Sequence, residues 1–516
     1  MTNIRILWAD DEIELLKPHI IFLEERGYDV SPATSGDEAL DLIQEKRFDI
    51  VLLDENMPGL SGLETLSEIK SLAPSLPVIM ITKNEEESIM EEAIGSKISD
   101  YLIKPVNPNQ ILLSLKKNLD SARIVSEKTT TGYQQAFRNI GMSLHNNMSY
   151  KEWEDVYREL IYWELELEKS QDTGMAEILD QQKEEANSLF ARFIEDNYIG
   201  WLNQKEGAPA MSHNIFKSHV LPEIKDNQTT FLIVLDNLRL DQWQFLKSEI
   251  EKIFWVEKDE TFMSILPTTT QYARNSMFAG LLPIEIEKLY PDLWLNDEDD
   301  GGKNMHEKEL IALQLKRLGV DGRFSYNKVL NPDYGRKVVA DIPNQMNNRF
   351  NVIVYNFIDM LSHARTDTDI IKELAENESA YRSLTLSWFE HSPFKEALKE
   401  IAHRKGKVIL TTDHGSVKVK EPSKVIGDKS VNTNLRYKQG KNLSFIEGDV
   451  FAISNPEDAY LPKVNVSQSF IFAKGEKFFA YPNNFNYYVN YYKDTFQHGG
   501  ISMEEMLVPI ATLSPK

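Results

Sequence analysis

From residue 236 onward, seven side chains have types suited to binding metal ions and attacking phosphorus: Asp236, a threonine of the run Leu266-Pro267-Thr268-Thr269-Thr270, Asp359, His363, Asp413, His414 and His498. Each stands at the end of an apolar, strand-like run or in a polar loop, where it can meet a ligand instead of filling a core. Asp359 and His363 are four apart, so on a helical turn they share a face and can hold one metal ion. Asp413 and His414 follow the run Val408-Ile409-Leu410, and His498 sits in Phe496-Gln497-His498-Gly499-Gly500, where glycine lets backbone approach a ligand. The chain has no cysteine, so any bound metal takes oxygen and imidazole donors. The threonine run precedes a helical stretch whose N-terminus favours anions. Singly, each residue has a bland explanation, and the remaining seven of the ten histidines show no such context. In this order, they form the inventory of a two-metal phosphoester hydrolase.

A second set lies near the N-terminus. Asp10 and Asp11 end the first strand-like run, Asp54 the third and Thr82 the fourth, and Lys104-Pro105 follows the fifth. The carboxyl ends of parallel strands share one edge, so these groups converge there. Clustered carboxylates repel one another without a cation between them, and oxygen ligands favour Mg²⁺. Asp54 can then accept a phosphoryl group that Lys104 balances and Thr82 hydrogen-bonds. The run Leu52-Leu53-Asp54-Glu55-Asn56-Met57-Pro58-Gly59 resembles the phosphoacceptor loop of bacterial response-regulator receiver domains, with Tyr101 at the position of the switch aromatic. The resemblance implies Asp54 as acceptor, Asp10, Asp11, Asp54 and the carbonyl of Asn56 as the Mg²⁺ site, and a cis Lys104-Pro105 bond.

The elements that must position these groups form three segments. Residues 1–122 alternate buried-strand runs (Ile4–Trp8, Asp49–Leu53, Pro77–Ile81, Tyr101–Ile103) with amphipathic stretches, the pattern of a doubly wound parallel sheet. Residues 123–205 read as helix alone: Ser149 and Glu152 form a capping box, and Trp153, Val156, Leu160, Trp163 and Leu167 recur at the spacing of a bundle core. Lys205-Glu206-Gly207-Ala208-Pro209 marks a boundary. Beyond it, Phe231–Leu235, Val352–Tyr355 and Val408–Leu410 predict a second, larger α/β sheet over 206–516, and Asp297–Gly302 reads as a solvated loop.

The balance of 80 acidic to 57 basic residues, net −23, opposes duplex DNA binding, and no basic recognition helix is visible. No apolar run approaches the ~20 residues of a membrane span, and the N-terminus lacks a basic leader region, so we expect a cytoplasmic protein without membrane insertion.

The order of the C-terminal motifs resembles the alkaline phosphatase superfamily, in particular its PglZ-type members and nucleotide phosphodiesterases. In that pattern the nucleophile follows a Pro-Thr pair and precedes a glycine ten positions on, and counting back from Gly280 selects Thr270. The resemblance implies that Asp236, Thr270, Asp413 and His414 hold one Zn²⁺ and that Asp359, His363 and His498 hold another. Asn237, Arg239, Arg274 and Asn275 are candidates for binding nonbridging substrate oxygens. A receiver, a helical bundle and a PglZ-type domain in one chain resemble the PorX-like response regulators of type IX protein secretion. That likeness implies a partner histidine kinase, homodimerisation on phosphorylation, contact with secretion-machine components or a sigma factor, and phosphodiesterase activity on cyclic or linear oligonucleotides. The competing class is a metal-stabilised signalling scaffold for those partners with vestigial catalysis, for which Thr270 has no use.

Overall fold

The computed structural model describes residues 4–73, 76–83, 98–145, 147–170, 173–297, 299, 301–367, 377–427 and 432–516. By compactness the chain divides into two units, residues 1–134 with 169–172, and residues 135–168 with 173–516.

In the first unit, β1 (Ile4–Ala9), β2 (Tyr28–Ala33), β3 (Ile50–Asp54), β4 (Val78–Thr82) and β5 (Asp100–Ile103) pair in parallel in the order β2-β1-β3-β4-β5. This is the flavodoxin-like order, whose strand ends open a crevice at the switch point. Helices cover both faces, so the central strands are apolar throughout. Leu7, Val51, Leu53 and Met80 pack on one side with Leu66 and Ile69 of α3 (Gly62–Leu72), which follows α1 (Lys17–Glu24) and α2 (Gly36–Glu45). Ile6, Trp8, Leu52 and Ile81 pack on the other with Leu23 of α1 and with Ile111 and Leu115 of α4 (Pro108–Ser143). Strand β2 has mixed burial and carries Pro32, which an edge strand tolerates. The Lys104–Pro105 bond is cis.

The second unit contains α5 (Tyr150–Ser170, through Glu168) and α6 (Thr173–Leu202). The capping box is present: the Ser149 amide donates to Glu152 Oε2 (2.7 Å) and the Glu152 amide to Ser149 Oγ (3.4 Å). Trp153, Val156, Leu160 and Leu167 are buried, and Trp163 is half-buried. Trp153 packs edge-on to Phe190 of α6. These helices are fastened to the remainder of the unit. Asn187 exchanges hydrogen bonds with Glu504 and the Met503 amide, the Leu266 amide donates to the Tyr198 hydroxyl, and Arg382 bridges Glu164 and Glu168 to Asp241.

The larger sheet orders as β7-β18-β10-β6-β9-β8, from β6 (Thr230–Leu235), β7 (Phe254–Met263), β8 (Phe324–Val329), β9 (Phe350–Tyr355), β10 (Lys407–Thr411) and β18 (Leu507–Pro515). Strands β10, β6, β9 and β8 are mutually parallel; β18 runs antiparallel to β10 and to β7. The carboxyl ends of β6, β7, β9 and β10 and the amino end of β18 therefore share one edge. Smaller sheets pair β11 (Val417–Lys418) with β17 (Phe496–Gln497), β12 (Glu421–Lys424) with β16 (Lys477–Ala480), and β15 (Ser469–Ala473) between β13 (Tyr437–Gly440) and β14 (Val450–Ile453). The segment expected as a solvated loop is partly built in: half-buried Asp297 accepts hydrogen bonds from the Tyr437 hydroxyl (2.8 Å) and Asn432 (3.0 Å), while Glu298 and Asp300 lie outside the described residues.

Burial pushes the half-buried His213 imidazole down to about 4, and its Nδ1 has no hydrogen-bond partner. A depressed histidine favours the neutral form, so its contribution is fully present above the unfolded value near 6.5 and is lost as pH falls toward 4. We expect the Tm to fall between pH 7 and 4.5, and His213→Gln to recover part of that fall, up to about 3 kcal/mol. Thermal melts of both proteins at the two pH values measure it.

Candidate metal centres and nucleophile

In the first unit, Asp10, Asp11 and Asp54 bring carboxylate oxygens within 4.8 Å of one another. Lys104 Nζ lies 2.7 Å from Asp10 Oδ2 and 2.9 Å from Asp54 Oδ1. Burial raises the Asp54 carboxyl above its ordinary range against the pull of Lys104. Burial also pulls Lys104 down, but Asp10 and Asp54 outweigh it and hold its ammonium above normal. Thr82 is buried at the end of β4, Tyr101 is half-buried in β5, and Asn56 is exposed in the loop after β3. Lys83 pairs with Glu12 at 3.0 Å on the surface.

In the second unit, the shared sheet edge gathers the chemistry. Asp236 follows β6, Asp359 lies in the first turn of the helix Phe357–Asp367 after β9, Asp413 and His414 follow β10, and His498 follows β17. Two ligand groups result, Asp236 with Asp413 and His414, and Asp359 with His363 and His498, each with its donor atoms within 4.8 Å of one another. The resemblance adds Thr270 to the first of these groups.

The donor set fits a pair of metal ions. His414 Nδ1 lies 3.1 Å from the Gly415 carbonyl and His498 Nδ1 3.2 Å from that of Thr268. A carbonyl accepts only, so each Nδ1 carries the proton and each Nε2 turns its lone pair toward the cluster, the usual second-shell arrangement of a metal-binding imidazole. His414 Nε2 is 3.7 Å from Asp413 Oδ2 and 3.9 Å from Asp236 Oδ1; Asp359 Oδ1 is 3.5 Å from His363 Nε2 and 3.7 Å from His498 Nε2. These gaps are too long for hydrogen bonds but close to the about 3.3–3.4 Å that separates two ligands on a tetrahedral zinc. Asp359 Oδ1 and Asp413 Oδ2 are buried without a hydrogen-bond partner. Burial, with His414 nearby, pushes His498 down to about 3, which keeps its imidazole neutral as a ligand must be. The His414 and His498 rings stack at 4.4 Å, so the two groups adjoin. Asp413 and His414 are fully buried, whereas His363 is exposed, which puts the mouth on the Asp359 side.

The three threonines differ in what their hydroxyls do. Thr268 Oγ1 donates to the Gly500 carbonyl (3.0 Å) and accepts from the Gly499 amide (2.9 Å). Thr269 Oγ1 is buried without a partner. Thr270 Oγ1 lies 3.2 Å from His414 Nε2 and 3.4 Å from Asp236 Oδ1. It opens a π-helical turn, Thr270–Arg274, that runs into the helix Asn275–Ala279. Gly280 caps that helix at φ +61, where a Cβ would strike Gln314.

Of the candidate oxyanion binders, Arg274 is fully buried. Its Nη1 meets Asp236 Oδ2 at 2.8 Å and Asp413 Oδ2 at 3.5 Å, and its Nε meets Glu307 at 2.8 Å. Asp236 thus gives one oxygen to Arg274 and turns the other toward Thr270 and His414. Arg239 is buried and directs Nε and Nη2 to Asp241 and Glu378. Asn237, at φ +65, donates its amide to Asp413 Oδ1 (3.3 Å), and the Asn275 side chain contacts Lys303 and Asn304. Three supports were missed in the sequence. Asn356 donates to Asp236 Oδ2 (2.8 Å), Asn304 to the Thr270 carbonyl (2.9 Å), and Glu307 anchors Arg274. Asn356 follows Tyr355 directly and shares the strand-end signal of Asp236; Asn304 and Glu307 lie outside any such run.

Gly415 is required by packing. A Cβ there would run into the Glu504 carbonyl oxygen, while the Gly415 amide donates to Glu505. Gly415→Ala is expected to displace the Asp413–His414 corner and weaken divalent-metal binding there on the order of 10–100-fold, the scale of second-shell losses. Competition with a chromophoric chelator measures it.

The family model of the BREX system PglZ alkaline phosphatase-like domain matches residues 215–513. The chain belongs to the PglZ family. Ahead of that domain, the PorX response regulator linker domain matches residues 123–202 and the response regulator receiver domain residues 6–116. The chain therefore joins a response regulator receiver, a PorX linker and a PglZ domain, the PorX-like fusion type. Among curated relatives, the transcriptional regulatory protein ZraR of Escherichia coli O157:H7 is 36% identical over 141 residues, 27% of this chain and 32% of that protein. The alginate biosynthesis transcriptional regulatory protein AlgB of Pseudomonas putida is 34% identical over 116 residues, 22% of this chain and 26% of that protein. The chain thus spans about a third or less of the length of these relatives. A CheY-like receiver structure from Methanospirillum hungatei is 31% identical with a TM-score of 0.23, covering 23% of this chain and 96% of that one. Among the described residues no helix is long and apolar enough to cross a membrane.

Proposed function

We propose that the PglZ domain is a zinc-dependent phosphodiesterase with Thr270 as nucleophile, acting on cyclic or linear oligonucleotides in the cytoplasm under control of Asp54 phosphorylation. The observation that carries this reading is the Thr270 hydroxyl, 3.2 Å from His414 and 3.4 Å from Asp236 at the junction of two oxygen and imidazole donor groups. Asp236, Asp413, His414 and Thr270 would hold one zinc, and Asp359, His363 and His498 the other. When bound, the pair supplies Lewis acidity that makes a hydroxyl and a water nucleophilic at neutral pH and stabilises the leaving oxygen.

Thr270 Oγ1 gives up its proton to solvent and attacks phosphorus in line; the Oγ1–P bond forms as the bond to the leaving alkoxide breaks, and that oxygen takes a proton from water. A water then attacks the phosphothreonyl diester from the vacated side, the P–Oγ1 bond breaks and threonine is restored. Arg274 and Asn356 fix Asp236 from behind, so it holds its position without turning. Metal analysis with hydrolysis of bis-p-nitrophenyl phosphate and p-nitrophenyl phosphate tests this reading. Two zinc ions per chain, diester cleavage lost on chelation and restored by zinc are expected. Equal hydrolysis after complete metal removal would refute it.

In the receiver, Asp10, Asp11 and Asp54, with Asn56, would hold Mg²⁺, while Lys104, Thr82 and Tyr101 respond to phosphorylation. The linker-domain match supports a role in type IX secretion through contact with secretion components or a sigma factor, with homodimerisation as the response. Asp54→Ala is expected to abolish any monomer-to-dimer shift on treatment with a small phosphodonor, read by light scattering; a shift that persists in the variant removes Asp54 from control.

A further inference from the structure

Arg239 stands three residues after Asp236, and its buried guanidinium lies over the rings of Phe496 and Tyr381, 5.0 and 5.5 Å from their centroids. The two rings stack on each other, with centroids 4.2 Å apart and planes at 20°. Each ring holds part of the outer ligand group, Asp359, His363 and His498. Phe496 lies two residues before His498 in β17, and the Tyr381 hydroxyl donates to the Ile358 carbonyl (3.2 Å), next to Asp359. A desolvated guanidinium is attracted strongly to aromatic faces, so a shift of Arg239 is passed to both rings. Arg239 is in turn the inner end of a buried ion chain. Its Nε and Nη2 grip Asp241 as a fork, Arg382 Nη1 donates to Asp241 Oδ2 (2.9 Å), and Arg382 reaches Glu164 and Glu168 of α5, each at 2.7 Å. Lys183 of α6 joins Glu164 at 2.7 Å, Glu378 joins Arg239, and the Ser379 hydroxyl joins Glu168.

A buried ion chain is a poor device for stability alone, because apolar residues of the same volume often serve as well or better. What it adds is geometry: a forked arginine–carboxylate pair fixes distance and angle, where apolar packing lets rings slide. The inner ligand group has separate supports, since Arg274 and Asn356 hold Asp236 and the Asn237 amide holds Asp413. The Arg239 stem does pass the inner corner, its Cγ 3.4 Å from where a Cβ on Gly415 would stand, but substitutions at the far end of the chain leave that stem in place. We propose that Arg239, Asp241 and Arg382 are positioning residues through which the α5 carboxylates Glu164 and Glu168 set the metal affinity of the outer ligand group. This rests on the two-metal reading and names what governs one of its sites. Helix α5 thereby acts on the group at the mouth.

Zinc titration of the metal-free full-length chain against a chromophoric chelator tests this without any substrate. Wild type is expected to bind in two steps, and His363→Ala, which strips a ligand from the outer group, identifies the step that belongs to it. The double variant Glu164→Gln, Glu168→Gln keeps side-chain shape and removes both charges. It is expected to weaken the outer step about 10- to 100-fold, the scale of lost ligand support, and to leave the inner step unchanged. Arg382→Lys keeps the charge and loses the fork, and should weaken the same step. In the His363→Ala background the glutamine pair should leave the remaining step as it was. A merely structural role would lower the Tm and weaken both steps together or neither, and either result overturns the inference. If the double variant fails to fold, Glu168→Gln alone, whose side chain is 29% exposed, carries the test with a loss in the same step. Two zinc ions on wild type with an unaffected variant would sink this inference and leave the two-metal reading standing. No zinc on wild type would sink that reading and this inference with it.

Discussion

Thr270→Val is expected to keep its zinc and to lose diester cleavage by at least about 10³-fold in kcat, the scale on which removal of a covalent nucleophile acts. Valine matches threonine in shape and removes only the hydroxyl. The contacts that hold this corner do not use that oxygen. Thr269, not Thr270, precedes the π-helical turn, and Asn304 binds the Thr270 backbone carbonyl. Six other ligand side chains remain in the two groups. Stoichiometric zinc together with unchanged residual activity in the variant would remove Thr270 from the chemistry and favour a water nucleophile.

Arg274→Met is expected to be the most destabilising single change near the centre. The guanidinium is fully buried and is shared by Asp236, Glu307 and Asp413. Removing one member of a buried ion network leaves its partners uncompensated, at about 3–5 kcal/mol. In the metal-free protein this should appear as a Tm lower by several degrees and as protonation of Asp236, whose carboxyl burial already raises well above its ordinary range. Bound zinc should recover part of the loss. If Arg274 serves instead to bind substrate oxygens, the variant will melt normally and show only a raised KM.

Much of the site was legible because its residues sit where strands end. Asp236, Asp413 and His414 each follow an unbroken apolar run, and the run itself reveals the parallel, doubly covered strand that delivers them. His498 was found through its glycines, which its loop uses: a Cβ on Gly500 would meet the Ala473 carbonyl oxygen at 2.5 Å. The choice of Thr270 among three adjacent threonines needed family spacing, since no local pattern tells Thr268, bonded to Gly500, from Thr270, turned to His414. Strand β8, Phe-Ser-Tyr-Asn-Lys-Val, escaped because it lies at a sheet edge with half-buried side chains and shows no apolar run. The supports were hidden for another reason. Glu307 meets Arg274 from 33 positions away, through a contact that only the folded chain creates.

The helices that precede the PglZ domain bear on where the chain can be cut. Lys205–Pro209 reads as a seam, and a fragment beginning at residue 206 looks from the sequence like a natural catalytic piece. Such a fragment would lack Tyr198, whose hydroxyl satisfies the Leu266 amide beside the nucleophile loop, Asn187, which holds the Met503 turn, and Glu164, which pairs with buried Arg382. Excising it would strip several buried donors and a guanidinium of their partners at once. The smallest piece that keeps these contacts therefore starts upstream of Tyr150, and the so-called linker is part of the PglZ domain's own scaffold.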